Sequence, residues 1–165
     1  MLKLNRVIDY GILIVTHLIR EEDRGKGISS AKEIAAANHL SLPMVSKILK
    51  TLVRSGMIVS VRGLHGGYAL VPEIREMTLG GLIRAVDGPV RLTDCSPRSA
   101  TAAIECDLHT LCSLRGTMLR LNSVVESAFD NISLVELAGP AAPAFRIGSL
   151  PALPFRSPAP AQRPQ

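Results

Sequence analysis

Ser41-Leu42-Pro43-Met44-Val45-Ser46-Lys47-Ile48-Leu49-Lys50-Thr51-Leu52-Val53-Arg54 reads as one helix with two faces. Ser41 is a helix-capping residue, and Pro43 falls in the first turn, where its missing N–H has no helical partner to lose. Val45, Ile48, Leu49, Leu52 and Val53 recur on one side, while Lys47, Lys50 and Arg54 stand on the other at i, i+3, i+7. Gly56 ends the helix. Downstream, residues 57–62 are rich in β-branched side chains, Gly63-Leu64-His65-Gly66-Gly67 is a glycine-bearing turn, and residues 68–71 are the return strand. Upstream, Ser30 followed by Glu33 has capping-box spacing and opens a short helix through Ala37, and Asn38-His39-Leu40 makes a tight turn. Before that, residues 5–20 are apolar almost all round, which predicts a buried helix, and residues 21–27 read as a charged loop.

Helix, short helix, turn, helix, two-stranded hairpin is the order of a winged helix-turn-helix, a mainly α fold with a small β-hairpin. It is assigned to residues 1–88. Thr78 caps a further short helix through Val86, stopped by Asp87-Gly88-Pro89. Residues 89–110 show no sustained period and are assigned as a cysteine-containing loop. From Leu111 the apolar positions Leu111, Leu114, Met118, Leu121, Val125, Ala128 and Ile132 alternate three and four apart. That is a coiled-coil-like seam, and a small domain has little to bury it against except a second copy of the same helix. The alternative is a core helix within one chain. Residues 111–138 are therefore assigned as a dimerisation helix followed by a short C-terminal helix. Beyond them, residues 139–165 hold seven of the eleven prolines and read as a disordered Pro/Ala-rich tail without a part in fold or dimerisation.

The chain has 165 residues, a formal charge of +5 and a pI near 9.5. Three tail arginines, Arg146, Arg156 and Arg163, carry part of that excess, which leaves +2 on residues 1–138. More telling, no acidic residue occurs between Glu33 and Glu73, a stretch that holds Lys47, Lys50, Arg54 and Arg62. A local basic surface of this kind suits a polyanion, although a solvated helix face has the same composition. The core must be aliphatic, since Trp is absent. The apolar run at 12–15 is far shorter than the ~20 residues of a spanning helix. No secretory signal is visible, and three cysteines are an odd number for a disulfide framework, so the cytoplasm is the expected compartment.

In a helix-turn-helix the second helix enters the major groove with its N-terminal residues at the base edges. That places Pro43, Met44, Ser46 and Lys47 at bases, with Lys50, Arg54 and the Ser41 hydroxyl on phosphates. The glycines of the hairpin let the backbone approach double-stranded DNA, Arg62 at its base enters the minor groove, and His65 joins the same surface. The competing reading is a winged helix used only for protein contacts. Catalysis is excluded as the function. Cys106 and His109 have no orienting acid or oxyanion donors, and the 63–67 turn lacks the Lys-Ser/Thr of a phosphate loop.

Cys95-x10-Cys106-x5-Cys112 lies just before the long helix. Thiolates ligate iron–sulfur clusters, which need four protein contacts, and three cysteines leave one to another group. The spacing alone admits a cluster, a zinc site, or inert buried thiols.

The motif Val61-Arg62-Gly63-Leu64-His65-Gly66-Gly67-Tyr68-Ala69-Leu70 resembles the wing of the Rrf-type winged-helix regulators. The opening Met1-Leu2-Lys3-Leu4 through Asp9-Tyr10-Gly11 is similar too, as are Ser41-Leu42-Pro43, Ala85-Val86-Asp87-Gly88-Pro89 and Ile132-Ser133-Leu134. The resemblance covers residues 1–138 and is greatest to regulators of the Suf and Isc iron–sulfur assembly operons. It implies a dimeric promoter-binding repressor whose 2Fe-2S or 4Fe-4S cluster, held by Cys95, Cys106 and Cys112, tunes DNA binding. A nitric oxide or redox responsive regulator, or one with a structural zinc or no metal, is the alternative. Two departures stand out. The first cysteine gap exceeds the five residues common in cluster-binding members, and Arg115 stands where several carry a histidine ligand. Other members use an acidic residue from the partner's first helix, a position Asp9 occupies here. His109 is the local competitor.

Overall fold

The computed structural model of the chain describes residues 5–63, 65–96 and 104–139. The tail expected to be disordered, the opening Met1-Leu2-Lys3-Leu4, Leu64 and residues 97–103 of the cysteine loop lie outside that set.

Helix α1 (Arg6–Asp23) starts at Asn5, whose side-chain oxygen accepts the Val7 N–H at 3.0 Å. It runs on through residues expected to be loop. Arg75 donates to both Glu22 and Asp23 at 2.7 Å and holds that last turn. Ile8, Ile14, Val15, Leu18 and Ile19 are buried, but the helix is not enclosed all round: Leu13 is 44% exposed and Asp9 is exposed nearby on the same flank. Helix α2 (Ala31–Ala37) opens on the reciprocal Ser30–Glu33 capping box. The turn to α3 (Leu42–Arg54) passes through His39 at φ 53°, a left-handed position, and is tied by Leu40 N–H to the Ala35 carbonyl at 3.0 Å.

Val45, Ile48, Leu49 and Leu52 of α3 are fully buried. Val53 is not; at 37% exposure it has rotated past the edge of the apolar stripe that Leu52 closes. Strands β1 (Ile58–Val61) and β2 (Gly67–Leu70) pair antiparallel with Ser60 opposite Tyr68. Ser29 adds a single rung on the other side of β2, exchanging two backbone hydrogen bonds with Tyr68. This rung explains a glycine: a Cβ on Gly67 would stand 2.5 Å from the Ser29 carbonyl oxygen. Gly66 is constrained alike by the Val61 carbonyl. Both glycines are thus required by the wing's own packing.

After a 3₁₀ turn (Pro72–Glu76), α4 (Leu79–Asp87) is capped by Thr78 and ends at Gly88 with φ 90°. Helix α5 spans Arg115–Asp130, starting one turn later than the seam beginning at Leu111 predicts. Helix α6 (Leu134–Ala138) has its own capping box, Ser133 with Glu136. It packs on α1, with Leu134 fully buried and Arg20 Nε donating to the Ala138 carbonyl at 2.7 Å. The short C-terminal helix thus completes the core of the winged-helix body. That core is aliphatic, and each fully buried Leu or Ile adds ~1.5–3 kcal/mol relative to exposure. Helix α5 leans on α4 through Asp130, which accepts two hydrogen bonds from Arg84.

Candidate nucleic-acid interface and cysteine loop

Ser41 begins α3 without making a side-chain cap hydrogen bond, so its exposed hydroxyl remains able to donate elsewhere. Pro43 is exposed beside it, Ser46 is half-buried, and Met44 packs partly against the core, which limits its reach toward a base. Lys47, Lys50 and Arg54 are exposed along the outer face. Between α3 and the hairpin runs a groove of about 490 Å³ lined by Lys47, Lys50, Thr51, Arg54, Ser60 and Tyr68, with Val53 at its edge. No carboxylate lines it. Among the described residues, Lys47, Lys50, Arg54 and Arg62 form no ion pair, whereas Arg24, Lys26, Arg75, Arg84 and Arg91 all do. Cations left uncompensated around one groove are suited to phosphates. Arg62 and His65 are exposed on the hairpin. Thr51, Ser60 and Tyr68 were missed from the sequence. The strand register delivers Ser60 and Tyr68 to the groove wall, and the outward half of the strand alternation was the available signal.

The second assembly lies at the base of α5. Buried Asn122 donates to the Val90 carbonyl and accepts from the Leu92 N–H, both at 2.9 Å, and so fixes the irregular segment leading to Cys95. Cys95 is buried and Cys106 and Cys112 are partly exposed, all as free thiols. Cys95 and Cys112 both lie near enough to Cys106 to act on its thiol. The Leu108 N–H draws the Cys106 thiol down, but desolvation and the two neighbouring thiols outweigh it and raise its pKa. His109 holds its ring on the Cys106 carbonyl at 2.8 Å. Since a carbonyl only accepts, Nδ1 carries the proton and Nε2 is the free nitrogen. Among the described residues no three His, Cys, Asp or Glu side chains close around a single-ion site. One zinc ion would need its thiolates within about 4 Å of each other, as set by its short Zn–S bonds. A multi-iron cluster spans more and needs wider thiol spacing. Cys95, Cys106 and Cys112 are soft donors of the kind that hold either zinc or an iron–sulfur cluster. Asp9 is exposed on α1 and Arg115 is half-buried at the start of α5.

A family profile described as Rrf2, iron-dependent transcriptional regulator, matches residues 4–140. The chain belongs to the Rrf2 family. The HTH-type transcriptional regulator CymR of Bacillus subtilis is 29% identical over 78% of this chain and 84% of its own length. The HTH-type regulator IscR of Vibrio atlanticus is 31% identical over 64% of this chain and 58% of its own length. The solved structure of B. subtilis CymR, titled the global cysteine regulator, superposes with a TM-score of 0.63 at 28% identity, covering 84% of this chain and 97% of that one.

This Rrf2 chain is therefore a winged-helix transcriptional regulator and not an enzyme. The greater closeness to Suf and Isc regulators expected from the motifs is met only in part, since CymR matches over more of the chain than IscR does. Among the described residues no helix is long and apolar enough to cross a membrane.

Proposed function

We propose that the chain is a homodimeric repressor of iron–sulfur assembly genes that binds operator DNA and senses through an iron–sulfur cluster. One observation carries the reading: Cys95 and Cys112 lie near enough to Cys106 to act on its thiol, just ahead of a helix whose apolar seam is partly uncovered. Leu111, Leu114 and Leu121 are 87%, 57% and 46% exposed, and α5 buries only Asn122. A second copy covers that seam at the cost of no buried charge. The family description as iron-dependent supports the choice of iron.

Cys95, Cys106 and Cys112 hold the cluster in this reading, with Asp9 of the partner subunit as the fourth contact. When bound, the cluster supplies an iron centre whose integrity responds to oxidants and to iron supply. The chain's own groups do the rest. Lys47 and Ser46 read the major groove, while Ser41, Lys50 and Arg54 bind phosphates and Arg62 and His65 engage from the wing. Asp9 sits on the first helix of the DNA-reading body, so its contact across the dimer ties cysteine-loop occupancy to the spacing of the two recognition helices. Half-sites lie about one helical turn apart, so that spacing sets operator affinity.

The test is anaerobic purification with an absorption spectrum, iron, sulfide and zinc analysis, and operator binding before and after chelation. Iron with equimolar sulfide and a change in operator affinity is the expected result. Zinc without sulfide would replace the reading by a structural metal site. Asp9→Ala is expected to give a labile, spectrally altered cluster; if His109→Ala alone does so, the fourth contact is local. A metal-free, redox-responsive regulator is the second reading, favoured by the nearness of Cys95 to Cys106 and by the likeness to a global cysteine regulator.

A further inference from the structure

Cys95 and Cys106, whose thiols act on each other, are separated by ten residues in sequence, and bringing the ends of such a length together costs entropy that some contact must offset. One side chain reaches both ends. Arg91 Nε donates to the Ser96 carbonyl at 2.7 Å, and its terminal nitrogen pairs with Asp94 at 3.3 Å and with Glu105 at 3.0 Å. Asp94 and Ser96 flank Cys95, and Glu105 immediately precedes Cys106. The Arg91 side chain is only 15% exposed, while Asp94 and Glu105 reach it from the exposed side at 75% and 42%. Guanidinium suits the task because its planar fork serves several oxygens at once. The backbone on each side of it is gripped by Asn122, through Val90 and Leu92, so the clasp is mounted on α5.

We infer that Arg91 is the positioning residue of the cysteine site, a three-way clasp through Asp94, Ser96 and Glu105 that sets Cys95 against Cys106 and registers the pair to α5. The inference deepens the proposed sensing role, and it rests on that reading only for the site's purpose; the pairing of thiols needs no iron.

The test uses the reduced, metal-free full chain and limiting diamide. Diamide takes up the two thiol hydrogens and two electrons and becomes a hydrazine, as one S–S bond forms. Peptide mass mapping then partitions the product among the three possible disulfides. Wild type is expected to give mainly Cys95–Cys106. Arg91→Gln should slow that disulfide about tenfold and shift product toward Cys106–Cys112, with Arg91→Lys intermediate, because a merely structural loss would not be rescued by charge. If Arg91→Gln fails to fold, Glu105→Gln removes one arm of the clasp at a more exposed residue and is expected to slow the same disulfide about threefold. An unchanged rate and partition in the folded variants overturns the clasp. Absence of iron and sulfide from purified wild type would sink the cluster reading while leaving this partition intact, so the two failures are distinct.

Discussion

The winged-helix body and helix α5 are built from the same aliphatic residues and end in opposite states. In the body, Ile14, Ile19, Ile34, Ile48, Leu49, Leu52, Leu82 and Leu134 are fully buried. On and just before α5, Leu111, Leu114 and Leu121 stand in the open, and the one buried side chain is a polar one, Asn122. The body satisfies itself within one chain. Helix α5 packs Val125 and Phe129 on that body but leaves Leu121 exposed, the surface that the proposed dimer would cover.

Leu121→Asp should break that assembly without touching the body. Sedimentation is expected to give a monomer with native helical circular dichroism, and operator affinity should fall ~10²–10⁴-fold as the two half-site contacts are uncoupled. Leu49→Ala is the converse: it should cost ~2–5 kcal/mol of unfolding free energy through the cavity it leaves, measured by denaturant titration. Should Leu121→Asp lower stability as much as Leu49→Ala while leaving oligomeric mass unchanged, α5 would be a core helix and the contrast would fail.

Smaller effects sharpen the DNA-facing half of the body. Lys47→Ala and Arg62→Ala should each reduce the salt dependence of operator binding by about one unit where the lost contact is a phosphate. Where it is a base, discrimination should relax by ~1–3 kcal/mol instead. Operator binding indifferent to both would remove the α3–wing groove from the account. The smallest effect concerns the capping box. The Lys26 ammonium, then the Ser30 backbone N–H and hydroxyl, hold the Glu33 carboxyl at about 2, below its ordinary 4.5. A depressed pKa contributes stability that is present above the ordinary value and lost as pH falls toward the folded one. Glu33→Gln should therefore lower the melting temperature slightly at neutral pH, converge with wild type near pH 2, and so flatten the decline between pH 4.5 and 2.

The helix-turn-helix was legible because its signals are local. The Ser30–Glu33 box, the Thr78 cap and the buried face of α3 are each written within one helical turn or two, and each formed as read except for Val53 at the edge of that face. The sequence misjudged features decided by distant partners. Arg75 extends α1 by pairing with Glu22 and Asp23, and α6 joins α1 instead of following α5. Gly67 answers to Ser29, which is 38 positions away by number. The cysteine loop follows the same rule. Its thiols were visible as ligand types, but the Arg91 clasp and the Asn122 anchor join residues up to 32 apart, and neither has a local pattern. The three-four alternation of α5 was legible because it too is local, and the chain covers part of it: Val125 and Ile132 pack against the core, while Leu111, Leu114 and Leu121 stay exposed.

The division between a complete body and an incomplete helix is tested most directly by the solution mass of the reduced wild-type chain. Sedimentation equilibrium across micromolar concentrations should return twice the 17.7 kDa chain mass. A single species at 17.7 kDa, with α5 intact, would contradict it.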